Sequence, residues 1–142
     1  MVTLKQAQAS NALIPKALPD GLVAVFVGGT SGIGEYTLRA LAKYAVKPKV
    51  YVVGRSQEAA DRILADCQKA NPEGQFIFIK ADVGPVKNVD EVCREIKSKE
   101  SAINLLFLTQ GSLALSKSMS RSPFFPCFFF WSFSFFPLRF GF

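Results

Sequence analysis

The sequence predicts an α/β fold in which helices cover both faces of a parallel sheet. Four apolar runs lack the polar–apolar alternation of a half-exposed strand, and they are residues 22–27, 50–53, 76–79 and 103–108. Three segments with helical spacing separate them: residues 32–45, the stretch between Ser56 and Asn71, and residues 86–100. The order is therefore β-α-β-α-β-α-β, and right-handed crossovers make it the first half of a doubly wound sheet with strand order 3-2-1-4.

The chain divides into three parts by composition. Residues 1–20 are mixed, with Pro15 and Pro19 near their end, and we expect an irregular lead-in with room for one short helical turn. Residues 21–115 contain all the strands and helices just named. Residues 116–142 are dominated by Phe, Ser and Pro, so we expect an irregular Phe-rich tail that is not a folded domain.

The helix limits follow from capping and breaking residues. Pro48 ends the first helix, Ser56 is a suitable N-cap for the second, and Asn71 with Pro72 stops it. The apolar faces consist of Leu38, Leu41, Ala42 and Ala45 in the first helix, Ala60, Ile63, Leu64 and Cys67 in the second, and Val89, Val92, Cys93 and Ile96 in the third. We therefore expect Cys67 and Cys93 to be buried as small apolar side chains.

Composition excludes several classes of function. The net charge of +6 comes without a basic stripe on any helix, since lysines and arginines alternate with acids, so nucleic-acid binding is not predicted. Three scattered cysteines and no histidine argue against a zinc site and suit a reducing compartment. The first 20 residues show no export or transit signal, and a cytosolic location is the default expectation.

A glycine-rich turn joins the first strand to the first helix. Gly28, Gly32 and Gly34 allow a sharp turn and a close approach of helix and strand. The unpaired amide groups at the start of the helix can then face a pyrophosphate, which the helix dipole also favours. Glycine spacing alone is weak, but the strand before it and the helix after it are the context of a dinucleotide-binding turn.

The end of the second strand indicates which dinucleotide would bind. Arg55 lies 21 positions after Gly34, where an acid would accept the ribose hydroxyls of NAD or an arginine would meet the 2′-phosphate of NADP. No acid stands at residues 51–56, and a guanidinium pairs with a phosphate through two hydrogen bonds. NADP is therefore predicted over NAD; the alternative is a solvated loop arginine.

The turn has the spacing G-x-x-x-G-x-G and resembles the cofactor motif of the short-chain dehydrogenase/reductases, a family with a Rossmann-type fold. The resemblance covers residues from about 11 to about 115. Within it, residues 22–55 and 103–111 look most like fungal members that act in secondary-metabolite pathways. The family implies an NADP(H)-dependent oxidoreductase that acts on a carbonyl or alcohol of a small metabolite.

The resemblance also implies roles at the other strand ends. In the family, residues at the positions of Ser31 and Ile33 line the ribose and phosphates. An acid placed as Asp82 contacts the adenine amino group, its neighbour, here Val83, packs on the ring, and Gly111 lets the backbone pass near the nicotinamide ribose. Ser31 as a turn residue with a local hydrogen bond, and Asp82 as a loop cap, are the alternatives.

Two positions depart from the family pattern. The family often has Thr before the first glycine, where this chain has Val27 and lacks a hydroxyl that would steady the turn. It often has Asn-Asn-Ala-Gly at the fourth strand, and here only the glycine is kept, in Leu108-Thr109-Gln110-Gly111. The role of the asparagine is therefore not assigned.

No catalytic residue is predicted. Family members protonate the carbonyl with a Tyr whose pKa is lowered by a Lys four residues later. The residues four positions after Tyr36, Tyr44 and Tyr51 are Ala40, Pro48 and Arg55, so none of the three tyrosines qualifies. Glu35, Asp82 and Glu100 read as isolated carboxylates with surface or loop roles. A catalytically inactive remnant, or a module that binds NADP or a partner, is the alternative function.

The tail has three interpretations. A membrane anchor is disfavoured by Pro126, Pro137 and Arg139 and by an apolar stretch that is short for a bilayer. A helix that binds a partner groove is disfavoured by the same two prolines. Translated pyrimidine-rich non-coding sequence would also give Phe, Ser and Pro, so we hypothesise that the reading frame was lost near residue 115 and that the chain is a truncated family member. A correctly spliced transcript that still encodes residues 124–142 would contradict this.

We also expect self-association through an open edge of the fourth strand and the Phe-rich tail.

Overall fold

The computed structural model describes residues 2–111 and, within the C-terminal segment, the backbone of residues 133–134 and 138–139. The elements in chain order are α1 Leu4–Asn11, α2 Ile14–Ala17, β1 Val23–Val27, α3 Gly32–Tyr44, β2 Lys49–Gly54, α4 Gln57–Ala70, β3 Gln75–Lys80, α5 Val86–Lys99, β4 Ala102–Ile103, β5 Leu105–Leu108, β6 Phe133–Ser134 and β7 Leu138–Arg139. Every helix among the described residues is too short or too polar to cross a bilayer.

The sheet has the predicted topology. Strands β3, β2, β1 and β5 lie side by side in this order and all run parallel, which confirms the order 3-2-1-4. The predicted fourth strand is split into β4 and β5 at Asn104. There the Asn104 side-chain oxygen accepts a hydrogen bond from the Val23 amide at 2.9 Å, and the Asn104 amide donates to the Val23 carbonyl at 2.9 Å.

Both faces of the sheet are buried, as the apolar runs predict. Helices α3 and α4 cover one face, where Phe26 and Phe107 of adjacent strands pack with their ring centroids 5.1 Å apart. Helix α5 covers the other face through Val92 and Ile96. Successive residues of β1 therefore enter two different cores, which explains why that strand shows no alternation.

The lead-in is more regular than predicted. Helix α1 begins with a capping box in which the Gln6 amide donates to the Thr3 hydroxyl and the Thr3 amide donates to the Gln6 side chain. No residue of α1 is buried, so the helix depends on these local bonds and lacks the apolar face that would have revealed it. The prediction of an irregular segment is wrong for residues 4–11.

The two cysteines expected to be buried differ. Cys67 on α4 is 1% exposed, and burial raises the pKa of its thiol. Cys93 on α5 is exposed, because the sheet covers only a narrow face of this helix, formed by Val92 and Ile96. The prediction is therefore confirmed for Cys67 and wrong for Cys93.

The edge of β5 is not fully open. Leu106 and Phe107 pair antiparallel with β6, and Ala102 and Ile103 of β4 pair antiparallel with β7. The prediction of an open fourth-strand edge is thus wrong at these paired positions, because short segments of the tail supply partners for the backbone. The rest of the predicted irregular tail lies outside the described residues.

Candidate functional site

The glycine turn requires glycine at position 28 for steric reasons. Gly28 has φ +89°, a backbone conformation that other residues rarely adopt. A Cβ atom at this position would lie 2.8 Å from the Gln110 amide nitrogen and 2.9 Å from the Thr109 carbonyl carbon. The turn after β1 therefore lies directly against the backbone that follows β5.

The start of α3 packs equally closely against the turn. Gly34 is buried, and a Cβ atom there would overlap the Gly28 carbonyl oxygen and lie 2.6 Å from the Thr109 hydroxyl oxygen. The close approach of helix and strand expected from the glycine spacing is thus present. It brings together the ends of β1 and β5 and the first turn of α3.

The amide groups of residues 29 to 34 form an unpaired row. Among the described residues, none accepts a hydrogen bond from these amides, and the first such bond of the helix runs from Glu35 to the Ser31 carbonyl at 3.3 Å. Ser31 is the N-cap but its side chain makes no capping hydrogen bond, so the local bond given as its alternative role is not found in the described part. Ser31, Gly32 and Ile33 are exposed. Together the dipole and the row suit an anionic ligand.

Arg55 lies beside this turn at the end of β2. The preceding residue, Gly54, contacts the turn, since a Cβ atom on it would lie 2.9 Å from the Thr30 side chain. The Arg55 side chain is exposed and makes no hydrogen bond or ion pair with the part of the chain that the structure describes. Its guanidinium is therefore available to a ligand at the same edge of the sheet.

The end of β3 carries a capped loop. The Asp82 carboxylate accepts a hydrogen bond from the Gly84 amide at 3.1 Å, and the Asp82 carbonyl accepts one from Asn88 at 2.9 Å. This is the loop-capping role given as the alternative for Asp82, although the side chain stays exposed. Val83 is half-buried against the core beneath α5, and Gly111 is exposed, with no described residue other than its chain neighbours within 4 Å of a Cβ atom built on it.

Glu35 in the first turn of α3 is not an isolated carboxylate. It pairs with Arg39 at 3.0 Å and with Arg62 of α4 at 3.5 Å, and Arg39 also pairs with Asp66 at 2.9 Å. The hydrogen bond to Asp66 is the main cause that raises the pKa of Arg39. Because two arginines face Glu35, its negative charge beside the amide row is largely compensated.

Glu100 also has partners, contrary to the prediction. The buried Tyr51 hydroxyl donates to the Glu100 carboxylate at 2.6 Å, and Lys49 forms an ion pair with the same oxygen. Burial raises the pKa of Tyr51, and the hydrogen bond to Glu100 adds to this effect. Burial alone would raise the pKa of Glu100, but hydrogen bonds from Lys49 and Tyr51 lower it. This cluster lies near the amino end of β2, away from the glycine turn, and Tyr51 is unsuited to act as a base.

Sequence reasoning found the residues of the turn but missed Thr109. Its side chain contacts the Gly28 carbonyl, and in the sequence it stands at the second position of Leu108-Thr109-Gln110-Gly111, where the family often has asparagine. Because the threonine departs from that pattern, no role was assigned to it and its contact with the turn was not predicted.

Comparisons with known proteins agree with this geometry. The family profile described as short chain dehydrogenase matches residues 22–123. An oxidoreductase of Emericella nidulans is 49% identical over 81% of this chain and 34% of its own length, and an oxidoreductase of Emericella variicolor is 39% identical over 82% and 34%. L-Sorbose reductase from Gluconobacter frateurii, solved with NADPH and L-sorbose, has a TM-score of 0.61 at 21% identity over 73% of this chain and 38% of that chain. The chain spans about a third of the length of these curated relatives.

Proposed function

Because the chain belongs to the short-chain dehydrogenase/reductase family, we propose that residues 22–111 bind NADP(H) as the cofactor half of an oxidoreductase. The observation that carries the proposal is the unpaired amide row at residues 29 to 34, held against the end of β5 by Gly28 and Gly34. A pyrophosphate would accept hydrogen bonds from these amides and interact favourably with the dipole of α3.

The preference for NADP over NAD rests on Arg55. Its exposed guanidinium has no partner among the described residues, and the compensated Glu35 adds little repulsion toward a phosphate. A 2′-phosphate would receive two hydrogen bonds from the arginine, whereas the NAD ribose offers no matching charge. Asp82 with Val83 would contact the adenine, and Gly111 would lie near the nicotinamide ribose; these roles rest on the family resemblance.

The chemistry of the bound cofactor would be hydride transfer to or from a carbonyl carbon of a small metabolite. This sequence carries no Tyr-x-x-x-Lys pair to supply the proton. A second candidate function is therefore an NADP-binding module without turnover. It is favoured by the hydrogen bond of the buried Tyr51 hydroxyl to Glu100, near the amino ends of the strands and away from the glycine turn. A cytosolic role in secondary-metabolite biosynthesis is part of the first proposal and rests on the sequence alone.

The test is NADPH binding to the full chain by calorimetry, with NADH as competitor. We expect micromolar binding, about −8 kcal/mol, which is lost or strongly weakened in Arg55→Glu. Arg94→Glu is the matched control, because it makes the same charge change on an exposed residue of α5. Equal binding of NADPH and NADH would contradict the preference for NADP. NADPH oxidation with carbonyl substrates separates the two candidates, since only the first predicts turnover.

We also propose that the chain associates with itself through the Phe-rich tail and the remaining edge of β5. The tail pairs with only two of the four residues of β5, Leu106 and Phe107, in the described part. Size-exclusion chromatography at micromolar concentration should show species larger than the monomer. A single sharp monomer peak would contradict self-association.

A further inference from the structure

Thr109 connects the end of β5 to the glycine turn in two ways. Its amide donates to the Val27 carbonyl at 2.9 Å, which continues the pairing of β5 with β1. Its hydroxyl lies 3.3 Å from the Gly28 carbonyl oxygen and 3.4 Å from the Val27 carbonyl oxygen, so its single hydrogen can be shared between these two acceptors. The backbone bond already holds the two strands together at Val27, so the contact with Gly28 is what the hydroxyl adds for the turn.

The Gly28 carbonyl is enclosed from two sides. Thr109 contacts it from β5, and Gly34 approaches it from α3 so closely that a Cβ atom on Gly34 would overlap it. The peptide group that carries this carbonyl lies between two glycines, Gly28 and Gly29, which restrict its rotation less than any other residues would. The orientation of this peptide group therefore depends on these contacts more than it would between residues with side chains.

The orientation of this peptide group decides where the amide row begins. In a planar trans peptide the carbonyl and the N–H point in opposite directions. Fixing the Gly28 carbonyl toward Thr109 therefore fixes the Gly29 N–H away from it, and Gly29 is the first of the six unpaired amides. A rotated peptide would present a carbonyl oxygen where an anionic ligand requires a donor.

We propose that Thr109 is a positioning residue that orients the Gly28–Gly29 peptide group for a dinucleotide phosphate. This inference rests on the proposed function and names a residue for the same site. Because Val27 has no hydroxyl, the side-chain donor that steadies the turn comes from the neighbouring parallel strand. Because the Gly29 N–H is already oriented, less conformational entropy is lost when the phosphate binds.

The experiment compares Thr109→Ser with Thr109→Ala in the full chain, since the two variants differ only by the hydroxyl. Thr109→Val adds a variant of the same shape as threonine. We expect Thr109→Ala and Thr109→Val to bind NADPH about fivefold more weakly, the effect of one net hydrogen bond, and Thr109→Ser to bind within about twofold of the natural chain. Ser98→Ala is the control, because it removes a hydroxyl that donates at 2.7 Å to the Glu95 carbonyl within α5, away from the glycine turn.

A spectroscopic measurement separates positioning from stability. The ¹⁵N chemical shift of Gly29 reports on the hydrogen bond to the Gly28 carbonyl, and it should change in Thr109→Ala but not in Thr109→Ser or Ser98→Ala. Normal NADPH binding by folded Thr109→Ala would overturn the role of Thr109 and leave the proposed function intact. No NADPH binding by the folded natural chain would overturn the proposed function, and the positioning role with it.

Discussion

The polar groups named here are hydrogen-bonded or paired near the amino ends of the parallel strands and lack partners near the carboxyl ends. At the amino end of β2, the Tyr51 hydroxyl, the Glu100 carboxylate and Lys49 satisfy one another. At the carboxyl end, six successive amides and Arg55 have no partner among the described residues. Satisfied polar groups contribute to stability, whereas unpaired ones are available for a ligand. The difference supports the proposal that the carboxyl end of the sheet binds the cofactor, whereas the paired groups at the amino end contribute to the stability of the fold.

The largest expected effect comes from a methyl group on the turn. Gly28→Ala combines a positive φ with contacts below 3 Å to the backbone after β5. We expect the free energy of unfolding to fall by about 3 kcal/mol, and NADPH binding to weaken at least about tenfold. Denaturant unfolding and calorimetry measure the two effects.

Gly21→Ala is the matched control for this change. Gly21 also has a positive φ, +72°, but a Cβ atom there would meet nothing within 4 Å, and the residue precedes β1 at the opposite edge. We expect a loss of about 1–2 kcal/mol from backbone strain alone, with unchanged NADPH affinity. Equal loss of binding in both variants would remove the distinction between the two ends.

A smaller effect is expected at the amino end. Tyr51→Phe removes the hydrogen bond to Glu100 and should lower the free energy of unfolding by about 1 kcal/mol while NADPH affinity stays within about twofold. Tyr36→Phe provides the control, because the Tyr36 side chain is 74% exposed and should contribute little. A clear loss of NADPH affinity in Tyr51→Phe would show that the two ends are coupled.

The smallest effect is a dependence of stability on pH. The pKa of Glu100 is lowered on folding from its ordinary 4.5, so its contribution is present above that pH and is lost as the pH falls through the lowered value. The pKa values of Tyr51 and Lys49 are raised, so their contribution is present below pH 10 and is lost as the pH rises further. The urea concentration at the unfolding midpoint, measured at pH 7, 4 and 3, should fall less steeply with decreasing pH in Glu100→Gln than in the natural chain. An equally steep fall in both would contradict the assignment of this pH dependence to Glu100.

Local sequence patterns were sufficient to predict the order of the four parallel strands and the three helices between them. The N-cap at Ser56 and the glycine turn depend on residues close in the chain, and both are found where expected. The strand limits agree to within one residue, except that the fourth strand is split at Asn104. The capping box of Thr3 and Gln6 has the Thr-x-x-Gln pattern, but without an apolar face after it this pattern alone does not predict a helix. Cys93 was misjudged because spacing alone does not define how wide a covered helix face is.

Long-range pairings could not be predicted from these patterns. Tyr51 and Glu100 are 49 residues apart, and Thr109 is 81 residues from Gly28, so only the folded sheet brings each pair together. Glu100 therefore appeared isolated in the sequence, and Thr109 appeared only as a departure from the family motif, without an assigned role. The pairing of β5 with the tail was equally hidden, because two-residue strands have no period to recognise.

The most direct test of the central claim is an NMR titration of the ¹⁵N-labelled full chain with NADPH. We predict that amide shifts change most at residues 29 to 34, with saturation at micromolar concentration, and that Tyr51 and Glu100 remain unaffected. No shift changes in a folded sample, or changes centred on the amino end of the sheet, would contradict the claim that the unpaired amides form the cofactor site.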